Sequence, residues 1–225
     1  MEELKYSYKY PRPAVTTDCV IFGFDDDGLS VLLIQRGAEP YKDFWAFPGG
    51  FLNMDEDAES GARRELMEET GFIADTIVQF GAFSAVDRDP RGRVITIAFY
   101  ALVKTGKVEG GDDAADARWF PINQIPALAF DHEDILNRSL CALRERLRFQ
   151  PVGIDILPEE FSMSQLVHMY ECIPGLVLDT ESFSIQMLGM KLLSKVRDGG
   201  NTEPLYCFDE EVYSRLKTEG FRLDF

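Results

Sequence analysis

Apolar and polar positions change their period along this chain, and the changes mark its elements. Residues 15–24 (VTTDCVIFGF) run apolar and β-branched, the turn 25–28 (DDDG) follows, and the apolar pattern resumes over 29–35 (LSVLLIQ). Two such runs about a short Asp-Gly turn predict a β-hairpin. Residues 39–45 hold Pro40 and small polar residues, which predicts a loop leading into Ala46-Phe47-Pro48-Gly49-Gly50. From Asp55 the period becomes helical: Ala58, Ala62, Leu66 and Met67 recur until Gly71, predicting a helix over 56–70. Strands are predicted at 77–85 and 93–103 on either side of a charged turn, 87–93 (DRDPRGR). A turn-rich acidic loop at 109–113 precedes a short strand at 117–120. Ile135, Leu136, Leu140, Leu143 and Leu147 then predict a second helix over 131–147. A helix after the first hairpin, with strands and helices mixed, predicts an α/β sandwich.

The style of the sequence changes around residues 149–153, and a boundary there divides the chain into domains 1–150 and 151–225. The second part predicts helices over 162–170 and 179–190 separated by Ile173-Pro174-Gly175, then, after Gly199-Gly200, a strand over 205–208. Helix, turn, helix and a β wing outline a winged-helix-like domain.

Composition narrows the classes. At 45% hydrophobic and 28% charged residues, 225 residues describe a globular chain able to bury a large core, not a disordered one. No apolar stretch follows the first residues and none reaches the roughly 18 residues of a membrane span, so a cytoplasmic protein without a membrane partner is expected. Cys19, Cys141, Cys172 and Cys207 form no C-x-x-C pair and stand apart from any zinc-like spacing, so buried reduced thiols are expected. The net charge of -16 repels nucleic acid and anionic membranes at long range. A polyanionic ligand must therefore be met locally, by metal ions or an arginine cluster.

The chemistry concentrates in residues 50–72. On a helix, Glu65, Glu68 and Glu69 share one face, a crowding of carboxylates that a hard divalent cation with oxygen ligands relieves. Gly49 and Gly50 are expected to let the backbone turn into the helix and expose a carbonyl oxygen. Arg64 is placed to orient a carboxylate, and Glu56 to reach Arg64. Arg36, Arg88, Arg91 and Arg93 are candidates for phosphate or terminal ribose recognition, although Arg91 and Arg93 flank a turn and are equally readable as solvated. Trp45 and Phe47 are candidates to stack on a base, with core packing the competing reading. His132 is a candidate group for titration near neutrality; the competing reading makes Asp131 a helix N-cap and His132 its partly buried neighbour. Glu109, Asp112 and Asp113 are candidates for a general base on a distant loop, or form a solvated Gly-Asp turn.

Gly50, Glu56, Arg64, Glu65, Leu66, Glu68, Glu69, Gly71 and Phe72 match the Nudix box, with Phe72 standing where an aliphatic residue is usual. The segment thus resembles the Nudix hydrolase superfamily. The resemblance implies an α/β; Nudix α/β/α sandwich and a pyrophosphohydrolase acting on a nucleoside diphosphate linked to another group, with ADP-ribose or a related nucleotide sugar foremost. It further implies Mg²⁺ or Mn²⁺ held by Glu65, Glu68, Glu69 and the carbonyl of Gly50, with the three glutamates and Arg64 as the catalytic set. The candidate substrate contacts, read from the residues themselves, are Arg36, Trp45, Arg88, Arg91, Arg93 and His132.

Residues 87–100, 112–120 and 128–132, with the winged-helix-like tail, are similar to the Nudix-related transcriptional regulators of NAD and sugar metabolism. That similarity implies a homodimer and an operator-DNA partner, and makes a ligand-responsive regulator the alternative function. Two departures favour the enzyme. The box keeps every acidic position, and residues 176–190 contain no lysine or arginine where such regulators carry a basic run. Residues 151–225 hold 6 basic and 13 acidic residues, a net of -7, which disfavours DNA as a partner.

Overall fold

The computed structural model describes residues 8–111, 114–198 and 203–223. In chain order the elements are β1 (Ala14–Asp25), β2 (Gly28–Arg36), β3 (Trp45–Ala46), β4 (Gly49–Phe51), α1 (Ala58–Thr70), β5 (Val78–Phe83), β6 (Val94–Lys104), β7 (Ala114–Pro121) and α2 (His132–Phe149). After these come β8 (Phe161–Ser162), α3 (Met163–Cys172), α4 (Thr180–Gly189), β9 (Leu193–Arg197), β10 (Leu205–Phe208) and α5 (Glu210–Glu219).

The predicted hairpin forms, with Asp25 opposite Gly28, and its first strand becomes the centre of a 7-stranded sheet. The sheet runs β3-β2-β1-β6-β5, with β4 added to β1 and β7 to β2. β1 and β6 pair in parallel from Ala14 opposite Val94 to Phe24 opposite Lys104. Helices cover both faces, so β1 alternates between two cores. Cys19 and Ile21 meet Ala62 and Leu66 of α1, while Val20, Phe22 and Phe24 join the cluster of Ile135, Leu143 and Leu147 from α2.

The caps fix the helix bounds. α1 begins two residues later than the pattern suggests because Asp57 accepts the Ser60 amide at 2.8 Å, and it ends at Gly71 in the left-handed region at φ 65. Gly49 and Gly50 do not turn the chain into α1, as was expected; they lie in β4, opposite Asp18 and Thr17 of β1. Close approach requires them there. A Cβ on Gly49 would lie 2.1 Å from the Thr17 carbonyl oxygen, and one on Gly50 2.5 Å from a Glu65 carboxylate oxygen. The expected buried thiols also need correction. Cys19 is buried, but Cys141 is exposed and Cys172 and Cys207 are half-buried, because the last three lie on surface-facing parts of α2, α3 and β10.

The tail is a winged helix: α3 and α4 lie between β8 and the β9-β10 hairpin, and the three strands form one sheet ordered β8-β10-β9. β8, β9 and α5 escaped the sequence reading. The tail packs into the same core as α2, since Leu166 and Tyr170 of α3 and Tyr213 of α5 belong to the cluster that contains Leu143 and Leu147. Hydrogen bonds stitch the seam, with the Tyr213 hydroxyl donating to the Pro151 carbonyl at 3.0 Å. The Phe221 and Leu223 amides donate to the carbonyls of Phe149 and Arg148 at 3.0 and 2.9 Å. Among the described residues no helix is long and apolar enough to cross a membrane.

Candidate functional site

β4 and the facing side of α1 form one wall of a cavity of about 400 Å³. Helical spacing brings Glu65, Glu68 and Glu69 to it, and Arg64 binds the acidic residues into one network. Its Nε donates to Glu56 at 3.0 Å, its Nη2 to the other Glu56 oxygen at 2.6 Å, and its Nη1 to Glu65 and Glu68 at 2.7 and 2.9 Å. The Arg64 contact holds the Glu56 carboxyl down at about 2, helped by the Asn53 amide. Burial raises Glu65 despite Arg64. Burial raises Glu69 further, to about 8, against the Gly49 amide that donates to it at 2.8 Å.

The donor set of hard carboxylates suits Mg²⁺ or Mn²⁺. As the side chains are arranged, however, no three His, Cys, Asp or Glu among the described residues stand close enough together to hold a metal ion. Arg64 takes Glu65 and Glu68, and the Gly49 amide takes Glu69. A bound ion requires Glu65 and Glu68 to exchange Arg64 for metal.

The opposite wall carries the cations. Arg88, with a side chain 4% exposed, grips Asp131 with both Nε and Nη2, at 2.9 and 2.7 Å, and stands 3.6 Å from Asp18. Arg91 pairs with Asp89 at 2.7 Å and lies over the rings of Phe51 and Phe130, at 5.0 and 5.6 Å. Burial pushes Asp89 up, but its bonds from Arg91 outweigh this and leave it below its usual range. Arg36 lies over Phe130 at 4.8 Å and donates to the Pro40 carbonyl at 2.9 Å; burial lowers its pKa.

His132 lines the cavity and is buried rather than partly exposed. Its Nδ1 accepts the Phe47 amide at 3.0 Å, its ring stacks on Phe47 at 5.1 Å, and burial lowers its pKa, so it is neutral at neutral pH. Asp131 occupies the N-cap position without a side-chain cap bond, because its carboxylate is given to Arg88.

Three candidates lie elsewhere. Arg93 leaves the cavity to donate to the carbonyls of Ser84 and Ala85 at 2.9 and 3.1 Å. Trp45 packs edge-on against Phe120 at 4.6 Å, outside the cavity wall. Glu109 is exposed, and its amide caps α1 by donating to the Thr70 carbonyl at 3.1 Å; Asp112 and Asp113 lie outside the described residues. Conversely, Asp18, Phe51, Asp89 and Phe130 line the cavity and were not predicted. Asp18 had a signal, a lone carboxylate inside an apolar run that becomes a strand buried on both faces.

Residues 12–139 match the model of the NUDIX domain, and residues 153–203 that of the NrtR DNA-binding winged helix domain. The "ADPR responsive transcriptional repressor NtrR" of Acinetobacter baylyi is 33% identical over 80% of this chain and 74% of its own. The "ADP-ribose pyrophosphatase" of Methanocaldococcus jannaschii is 42% identical over 60% of this chain and 77% of its own. Shewanella oneidensis NrtR, crystallised with a 27mer DNA, superposes with a TM-score of 0.72 at 28% identity, over 89% of this chain and 95% of that one. This architecture is therefore compatible with DNA in a relative, and the tail's net charge does not disfavour it. Net charge averages over faces that never meet a duplex, and two of the tail's cations, Lys195 and Arg197, are exposed together on the edge strand β9.

Proposed function

The chain belongs to the NUDIX family, and on that premise we propose that it is a ligand-responsive DNA-binding regulator whose cavity takes ADP-ribose or a closely related nucleoside diphosphate. The observation that carries this reading is the continuous core joining the cavity's α2 to the winged helix. It is supported by the similarity to the ADPR responsive repressor over most of both chains. Arg88, Arg91 and Arg36 face the diphosphate and riboses, and Phe51 and Phe130 supply aromatic faces for the base. The winged helix, residues 151–225 in our division at residue 150, supplies the DNA contact, in a homodimer that matches a two-fold operator. The test is fluorescence anisotropy with DNA from upstream of the chain's own gene. Binding should weaken steeply as salt rises and change when ADP-ribose is added, whereas no binding at low salt sinks the reading.

One observation favours a second activity at the same site, the complete carboxylate set on α1. Glu65, Glu68, Glu69 and the Gly50 carbonyl would hold Mg²⁺ or Mn²⁺, which supplies charge neutralisation at the diphosphate. The chain's own part is to orient these carboxylates through Arg64 and to hold the diphosphate against the arginine wall. Purified protein should release AMP from ADP-ribose with Mg²⁺, and Glu69→Gln should abolish the release. Absence of turnover across a panel of nucleoside diphosphate compounds eliminates this activity and leaves the regulator intact.

A further inference from the structure

An aspartate at a helix N-cap ordinarily gives its carboxylate to the amides of the first turn. Asp57 and Asp209 do so, but Asp131 does not. Both of its oxygens accept from Arg88, a planar two-point contact that fixes the guanidinium in the cavity wall. The residues on either side are also cavity wall: Phe130, held at φ 53, and the buried His132. An anion that draws on Arg88 therefore acts on the residue from which α2 starts. α2 is 18 residues long, roughly 27 Å at the usual helical rise. At its far end the carbonyls of Arg148 and Phe149 accept from Leu223 and Phe221, the segment beyond α5. Between the two ends, Leu143 and Leu147 are fully buried in the core cluster that also holds Leu166, Tyr170 and Tyr213 of the winged helix. A close-packed helix of this kind shifts as a body and does not absorb a displacement within itself.

We propose that Asp131 is a positioning residue that couples the cavity to the winged helix, setting Arg88 at one end of α2 and passing occupancy to the α5 segment at the other. The inference rests on the ligand-binding reading of the cavity. The test uses the full chain, with ADP-ribose as the probe and two readouts: hydrogen exchange of the Phe221 and Leu223 amides, and DNA affinity. In the wild type, ADP-ribose should change exchange at both amides and shift DNA affinity at least about fivefold. In Asp131→Asn, ADP-ribose should still bind within about tenfold while the shift in DNA affinity and in exchange falls toward none. Glu133→Gln, an exposed change in the same helical turn, should keep both responses. An Asp131→Asn protein with the wild-type responses, or a liganded wild type with unaltered exchange at Phe221 and Leu223, overturns the proposal.

If the wild type binds no DNA, the regulator reading fails while exchange still decides the coupling. If it binds no ADP-ribose, the ligand-free proteins decide. Asp131→Asn alone should then raise exchange at these amides several-fold over Glu133→Gln, and equal exchange overturns the proposal. Should Asp131→Asn not fold, Arg88→Lys, which keeps the charge and loses the two-point contact, takes its place in the ligand-free exchange arm, where equal exchange overturns the proposal.

Discussion

α1 and α4 both begin at an aspartate cap, and there the likeness ends. Asp57 accepts from Ser60 and Asp179 from Glu181, yet α1 turns its carboxylates into a cavity while α4 turns apolar side chains out to solvent. Glu69 of α1 is 8% exposed, whereas Ile185 and Leu188 of α4 are 64% and 42% exposed. The difference shows what each surface must do. Charges inside a cavity need partners at fixed places, so Glu56, Arg64, Glu65 and Glu68 appear as one bonded set. α4 is held instead by apolar anchoring, with Phe183 and Met187 buried in the core.

The largest effect that would test this contrast comes from the cavity wall. Arg88→Ala removes the guanidinium that reaches both Asp131 and Asp18, leaving the buried Asp18 and the half-buried Asp131 without it. Breaking such a pair costs about 3–5 kcal/mol. A urea titration showing a loss below about 1 kcal/mol would mean that the cavity charges are solvated like those of any surface, and the contrast with α4 would collapse.

The next effect asks whether the two regions are separate at all. Leu143→Ala empties a fully buried position in the core cluster shared with the winged helix and should cost about 2–5 kcal/mol. The chain's two tryptophans, Trp45 and Trp119, lie in β3 and β7, so fluorescence reports the sheet region while far-UV circular dichroism reports every helix. Both signals should move together in the variant. A winged helix that melts first, leaving the fluorescence transition in place, would break the single-core description.

How far each region was legible follows from the same contrast. α1 was readable because metal-type chemistry demands carboxylates at helical spacing and a glycine on each side. The arginines were readable as a group but not individually, since only the folded loop decides that Arg88 and Arg91 turn inward and Arg93 outward. Phe130 was invisible: its place in the cavity depends on a left-handed backbone at φ 53 that its sequence does not announce. In the tail, counting charge misjudged DNA because a count carries no geometry. β8, of two residues, is too short to establish an alternation, and β9, with a single buried position, has no second apolar residue to set one.

A smaller effect separates the buried carboxylate of α1 from exposed ones. Glu69 has a folded pKa of about 8 against an ordinary 4.5, so the folded state holds its proton more firmly than the unfolded one. Its contribution is therefore full below pH 4.5 and is lost as pH rises through 8. Without divalent ions, the wild type should lose roughly 2 kcal/mol more than Glu69→Gln between pH 5 and pH 8, allowing for water in the cavity at about 1.4 kcal/mol per pKa unit. Taking the difference between the two proteins cancels His132, whose lowered pKa destabilises the fold in the opposite direction, as pH falls. Parallel pH profiles would show that Glu69 is no more buried in effect than Glu68.

The smallest effect compares two helix starts within the shared core. At α3 the Ser162 hydroxyl accepts the Gln165 amide at 3.2 Å while the Gln165 side chain accepts the Ser162 amide at 2.9 Å, a reciprocal cap. α2 has no such arrangement, its Asp131 being committed to Arg88. Ser162→Ala should therefore cost about 1 kcal/mol, as caps of this kind do, and should leave the cavity untouched. Thermal melts with and without ADP-ribose check both halves of that statement. The variant's melting temperature should fall by the same amount in each, because α3 starts from its own side chains and α2 from the cavity. A larger fall with ligand bound would mean that the cap of α3 also senses the cavity, and that the two regions differ less in wiring than in chemistry.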